Sequence, residues 1–417
     1  MTSRLGGGQS GAGMFRQASR TGAARGGAAQ PPMLARLSPL TLSRISVGFA
    51  LIAALWLSVA SARGEVIALV AAVAVVVCGH GGRVLAGQRP AAAVEWGLAG
   101  CGMVAEFLVY AGIAVAVTLH ASAAPGLAGS SLSGTFVAGL GGTGTAGVWR
   151  LAVMAVILTA LAAMVDMCVH GPSLPGSRLH LFGPPGDVRL PAACFMVLLF
   201  GARMAFLIVL VLGVAALGAT VIDGTHHVAD RGELRGYRGD GKISIWIGHW
   251  VDGRVPPLPP LVVGLLVTGV LTGLGLRNLP GILLLTPVEA MLLAAFASWH
   301  PHSGRSDWLV PPLLQAAEYV FIAEIGFAGH VWPPLTFALV AAVGLRHLDL
   351  AYRVRGSLAV GIDRRGLGWE GRMILVGVAA AIGIAPEAYV ALALYLWWRL
   401  GRDWIIGWST RQAAVNG

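Results

Sequence analysis

Residues 97–119 read GLAGCGMVAEFLVYAGIAVAVTL, and residues 308–328 read WLVPPLLQAAEYVFIAEIGFA. Each is an apolar run of about the 20 residues that a helix needs to cross a bilayer. Each also carries a glutamate followed by an aromatic residue, Glu106-Phe107 and Glu318-Tyr319, at a spacing of 212 residues. An ionised carboxylate at such a depth costs about 3 kcal/mol on insertion scales unless it is paired or hydrated. The two runs therefore predict membrane-spanning helices, a duplicated unit, and a candidate site in each copy.

The rest of the chain supports the first of these readings. Its 417 residues are 56% hydrophobic and 12% charged, with a mean hydropathy of +0.75, whereas soluble domains carry about 25% charged residues. The net charge of +10 comes almost wholly from arginine, Lys242 being the only lysine. Those arginines lie between apolar runs rather than along one face, which suits anionic lipid head groups and excludes a nucleic-acid partner. The four cysteines, Cys78, Cys101, Cys168 and Cys194, all fall in apolar segments and read as small buried hydrophobes.

Spans are expected at 45–62, 66–79, 97–119, 149–169, 188–201, 203–221, 258–277, 279–297, 308–328, 332–350, 370–384 and 386–401, giving about twelve membrane helices in an all-α polytopic protein. Loop arginines alternate as the positive-inside rule requires. Arg83 and Arg89, Arg178 and Arg189, the 222–257 stretch, Arg305, Arg353 to Arg372, and Arg399 with Arg402 fall on the N-terminal side. The expected placement is the cell membrane, with both termini cytoplasmic and the uncharged 120–148 loop external. The segments are a basic, disordered cytoplasmic tail (1–44), a first membrane repeat (45–221), a cytoplasmic linker (222–257), a second repeat (258–401) and a cytoplasmic tail (402–417). The first apolar run reads as a retained helix rather than a cleaved signal. Within the linker, Ile243–Trp250 has the mixed apolar and aromatic character of an amphipathic surface helix.

Laying the second half over the first pairs Trp149 with Trp332, Asp166 with Asp349, Asp187 with Glu370, Arg189 with Arg372 and Phe206 with Tyr389, all 183 residues apart. Glu95-Trp96 pairs with Asp307-Trp308 at 212, and His80 and Arg83 pair with His302 and Arg305 at 222. Two changes of loop length reconcile the three offsets. Six spans per copy is an even number, so the copies run parallel, unlike inverted-repeat transporters.

The unit opens Ser38-Pro-Leu-Thr41, has His80-Gly81 after its second span, and continues as Leu98-Ala-Gly-Cys-Gly-Met-Val-Ala-Glu106-Phe-Leu-Val-Tyr-Ala-Gly112. This resembles the CDP-alcohol phosphatidyltransferase family, whose six membrane helices carry a D-G-x2-A-R-x8-G-x3-D-x3-D motif holding divalent metal. In this chain His80-Gly81 occupies the opening Asp-Gly. Leu98 and Gly102 stand where the last two aspartates belong, and in the second copy Val310 and Leu314 do. The resemblance thus implies that fold without its metal-binding carboxylates. From Tyr237-Arg-Gly-Asp-Gly241 through Asp307-Trp-Leu-Val-Pro-Pro312 to Arg364-Arg-Gly-Leu-Gly-Trp-Glu-Gly-Arg372, the chain looks more specifically like an actinobacterial membrane domain of unknown function found attached to CDP-alcohol phosphatidyltransferase modules.

Candidate catalytic residues are Glu106 and Glu318, against the simpler reading of buried acids paired with an arginine such as Arg150. Candidate lipid-phosphate ligands are Arg83, Arg305, Asp187, Arg189, Glu370, Arg372, Asp166 and Asp349, all near expected helix ends. Arg346, His347 and Arg353 crowd Asp349 in what reads as an interfacial cluster. Asp223, His226, His227 and Asp230 include metal-ligating types, but adjacent histidines in a charged loop ordinarily face water, and no metal site is assigned.

The expected function is that of a non-catalytic, phosphatidyltransferase-like membrane protein of phospholipid or inositol-phospholipid metabolism. It would bind membrane lipids or a partner CDP-alcohol phosphatidyltransferase or cytidylyltransferase. The alternatives are an active CDP-alcohol phosphotransferase with displaced acids, and a lipid or ion transporter. No cofactor is expected, and magnesium or manganese would enter only with the phosphotransferase.

Overall fold

Proline opens several of the helices, because the first turn of a helix has no use for the N–H that proline lacks. In a computed structural model, which describes residues 38–87, 92–123, 144–170, 188–231, 241–250, 258–277, 281–298, 307–355 and 367–416, the first helix, α1, is Pro39–Ser58. There follow α2 (Ala62–Gly87), α3 (Ala92–Ala123), α4 (Gly144–His170), α5 (Arg189–Phe200), α6 (Ala202–Arg231) and the short α7 (Lys242–Gly248). After these come α8 (Leu258–Arg277), α9 (Ile282–Ser298), α10 (Val310–Ala328, led in by a 3-10 turn at Asp307–Leu309), α11 (Pro333–Arg355), α12 (Trp369–Ala381) and α13 (Ala385–Asn416). No strand occurs among the described residues.

Among the described residues, eight helices are long and apolar enough to cross a membrane, α1–α4, α6, α8, α10 and α11, and α5 and α9 are shorter apolar helices. The chain is thus an all-α, polytopic membrane protein. Several expected boundaries shift outward. Helix α1 takes in 39–44 of the expected basic tail, α6 carries ten residues into the expected linker, and α13 runs through the expected C-terminal tail. A helix does not stop where its apolar run stops, because its backbone hydrogen bonds continue into polar sequence until a breaker intervenes. Two such breakers are glycines with positive φ, Gly201 at +84° between α5 and α6 and Gly383 at +82° between α12 and α13. The tail up to residue 37 and the loop at 124–143 lie outside the described residues.

Residues from Pro39 onward form one unit, and the helix contacts within it have a regular plan. In the first set of six helices, α1 packs on α2 and α3, α2 on α5, α3 on α4, and α6 on both α4 and α5. In the second set, α8 packs on α9 and α10, α9 on α12, α10 on α11, and α13 on both α11 and α12. The two lists are the same under the substitution α1→α8, α2→α9, α3→α10, α4→α11, α5→α12 and α6→α13. The sets meet through α4 on α11, and through the reciprocal contacts α3 on α11 and α10 on α4.

Burial follows this plan. The most apolar window of α11 is 78% buried, while that of α6 is 22% buried and faces outward. With lipid as solvent, helices associate by close van der Waals packing, which small residues permit. At the crossing of α4 and α11, a Cβ on Gly344 would stand 3.1 Å from the Ala160 methyl. Trp149 meets Phe337 edge to face at 5.6 Å across the same seam.

Candidate functional site: two buried glutamate–arginine clusters

The intramembrane glutamates are both paired. In the first set, Glu106 on α3 meets Arg189, the first residue of α5. Arg189 Nη2 donates to Glu106 Oε1 at 3.3 Å and Nη1 to Thr159 Oγ1 at 3.2 Å. The Thr159 and Tyr110 hydroxyls both donate to Glu106 Oε2, at 3.2 and 2.9 Å. In the second set, Glu318 on α10 meets Arg372 on α12 as a two-point fork. Nε donates to Oε1 at 2.5 Å and Nη2 to Oε2 at 2.9 Å, while Nη1 donates to the Leu367 carbonyl at 2.9 Å. Glu318 is 0% and Arg372 2% exposed. Arginine is suited to this use because its planar guanidinium matches a carboxylate at two points.

His347 on α11 completes the second cluster. Its Nε2 lies 3.0 Å from Arg372 Nη2 and 3.1 Å from Glu318 Oε2, and its Nδ1 lies 2.9 Å from the Tyr319 hydroxyl. An arginine nitrogen can only donate. Nε2 thus faces a donor, the guanidinium, and an acceptor, the carboxylate, and the tautomer of the ring decides which of them it engages.

The arginines expected at the head-group layer thus turn inward. Their acids cannot leave the bilayer interior, so the longer and more flexible partner moves to them. Glu370 does not pair with Arg372 either. Its Oε1 accepts from the Ser244 N–H and hydroxyl, both at 2.7 Å, and its Oε2 from the Ile243 N–H at 3.0 Å, so that it caps α7 from another helix. Arg150 sits over the Phe327 ring at 5.6 Å. Arg83 and Asp166 are partly buried on α2 and α4. Asp187 and Arg305 lie outside the described residues.

A third polar cluster forms where the sets meet. Asp349 accepts from Arg346 Nη1 at 2.9 Å, Arg353 Nε at 2.8 Å and the Trp96 indole N–H at 3.1 Å. Arg346 also reaches Asp403 at 3.0 Å. Arg346 and His347 are buried. Of the trio expected to crowd Asp349 at the interface, His347 belongs instead to the Glu318 cluster. The reciprocal tryptophan, Trp308, lies in one buried cluster with Met164, Val165, Met167, Cys168 and Val169 at the end of α4.

Three further polar residues inside spans escaped the sequence reading. Glu289 on α9 accepts from Thr268 at 3.2 Å through Oε2, while its Oε1 is buried without a partner among the described residues, as is Glu324 Oε2 on α10. Both amide atoms of Gln315 are likewise unpartnered. The signal was present, since each is an isolated polar residue in an apolar run, the criterion that singled out Glu106. Among the described residues, no group of three or more His, Cys, Asp or Glu side chains is placed to hold a metal ion.

One comparison with known proteins gives a match. A model described as "Family of unknown function (DUF5941)" matches residues 229–397, which run from the end of α6 into α13 and so take in the second set of helices. No curated protein and no solved structure matches the chain.

Proposed function

We propose that this chain is a non-catalytic, phosphatidyltransferase-like membrane protein that binds lipid or a partner enzyme of phospholipid or inositol-phospholipid metabolism, the partner being a CDP-alcohol phosphatidyltransferase or cytidylyltransferase. Its membrane region is two parallel copies of one six-helix unit, twelve spans in all, with both ends on the cytoplasmic face of the cell membrane. The matching lists of helix contacts and the Glu–Arg pair at the same place in each set support the duplication.

One observation carries the non-catalytic reading. Glu106 and Glu318, the two intramembrane acids singled out to replace the missing motif aspartates, are each held by a buried arginine and by hydroxyl or imidazole neighbours. A divalent cation needs several oxygen ligands with free lone pairs, and these carboxylates have given theirs to protein donors. The purified chain in mixed micelles, supplied with CDP-diacylglycerol, candidate alcohols and magnesium or manganese, is expected to release no CMP above background. Release that disappears in the Glu106→Gln/Glu318→Gln double variant would establish the phosphotransferase instead.

A second reading, transport, draws on Glu289 and Glu324. Their partly buried side chains lie beside α8 at Gly264 and Gly269, each with an unpartnered oxygen, and intramembrane carboxylates of that kind line ion paths in transporters. Reconstituted vesicles whose ion or lipid movement is lost in Glu289→Gln would establish it, and vesicles that move neither would remove it.

A further inference from the structure

Gln315 is 4% exposed, and neither its amide oxygen nor its amide nitrogen has a partner among the described residues. Folded proteins seldom leave such groups unmatched, and the usual occupant is an ordered water or a ligand. The position is not one that helix packing requires to be polar. The residue 212 places earlier, at the same station of α3, is Met103, equally buried at 5%.

The neighbours define what fits. Gln315, Glu318 and Tyr319 stand at i, i+3 and i+4 of α10 and share one face of it. Glu318 is already balanced by Arg372, and the Tyr319 hydroxyl is already engaged by His347. Helical side chains tilt toward the helix N-terminus, so the Gln315 amide lies on the N-terminal side of that closed cluster. With the local charge matched, the group it takes is uncharged. A primary amide both accepts and donates, and its complement in a confined space is a hydroxyl.

We propose that Gln315 holds an uncharged hydroxyl group, which donates to Oε1 and accepts from Nε2, and which is supplied either by an ordered water or by a small polyol such as a lipid head group. The proposal deepens the lipid-binding reading. It draws on the duplication for the comparison with Met103 and for the choice of methionine as replacement, while the unpartnered amide stands without it.

The test uses the full chain in lipid nanodiscs. An electron-microscopy map fine enough to show waters is expected to contain density about 3 Å from both amide atoms. Thermal unfolding during a glycerol titration then separates the sources. A rise in Tm that saturates in the wild type and is absent from Gln315→Met assigns a polyol. Density accompanied only by a non-saturating rise, equal in both proteins as for an excluded osmolyte, assigns water. A map empty at both amide atoms overturns the proposal whatever the variant does, and needs no variant to fold. CMP release would defeat the non-catalytic reading and leave this result untouched.

Discussion

Arg372 gives Glu318 two hydrogen bonds, one to each oxygen, where Arg189 gives Glu106 one, and the other polar neighbour of Glu318 is His347 Nε2 at 3.1 Å. Arg372→Met would strand a buried negative charge, and breaking a buried ion pair by removing one partner costs about 3–5 kcal/mol. At Glu106 the Thr159 and Tyr110 hydroxyls would remain after Arg189→Met. Arg372→Met is therefore expected to lower the thermal stability of the purified chain by more than Arg189→Met, and the Glu318→Leu/Arg372→Leu double variant to recover most of the loss. Equal losses at the two arginines, or no recovery in the double variant, would contradict this account. All four residues stand out in the sequence, but their pairing does not, because the partners are 83 and 54 residues apart and no periodicity links a mid-helix acid to the start of a different helix. The rule that arginines near span ends reach for head groups pointed both outward, and the buried acids pull them the other way.

At the scale of elements, α7 shows how a short helix is held without an apolar face of its own inside the core. Trp246 and Trp250 are 64% and 78% exposed, edge to face at 6.3 Å, and the helix is tied down by Glu370 at its first turn. The cap needs close approach. Gly241 has φ +84°, and a Cβ there would collide with the Glu370 carboxylate. Losing a cap costs about 1 kcal/mol, more than an isolated seven-residue helix has to spare. Glu370→Ala is thus expected to raise amide hydrogen exchange across Lys242–Gly248 with little change in the global Tm, and unchanged exchange there would show that other contacts hold α7. The apolar and aromatic mixture of this segment was legible in the sequence, as were the centres of all twelve longer helices. Their ends were not, because they depend on where a glycine or proline interrupts the backbone ladder rather than on hydropathy.

For the molecule as a whole, the question is whether the two sets of six helices are held together by the covalent linker or by their own interface. The seam is extensive and buried. It runs along α4 and α11, where Gly344 meets Ala160 and Trp149 meets Phe337, and a bonded Trp96–Asp349 contact joins α3 to α11. A linker adds effective concentration but no contact, so an interface of this kind should survive its removal. Cutting the chain between residues 232 and 240 and co-expressing the pieces is expected to give two halves that insert separately and purify together through a tag on either one. Gly344→Leu, which drives a side chain into Ala160 at the centre of the seam, is expected to abolish the co-purification while each half still inserts. Halves that purify apart without any substitution would mean that the linker holds the sets together.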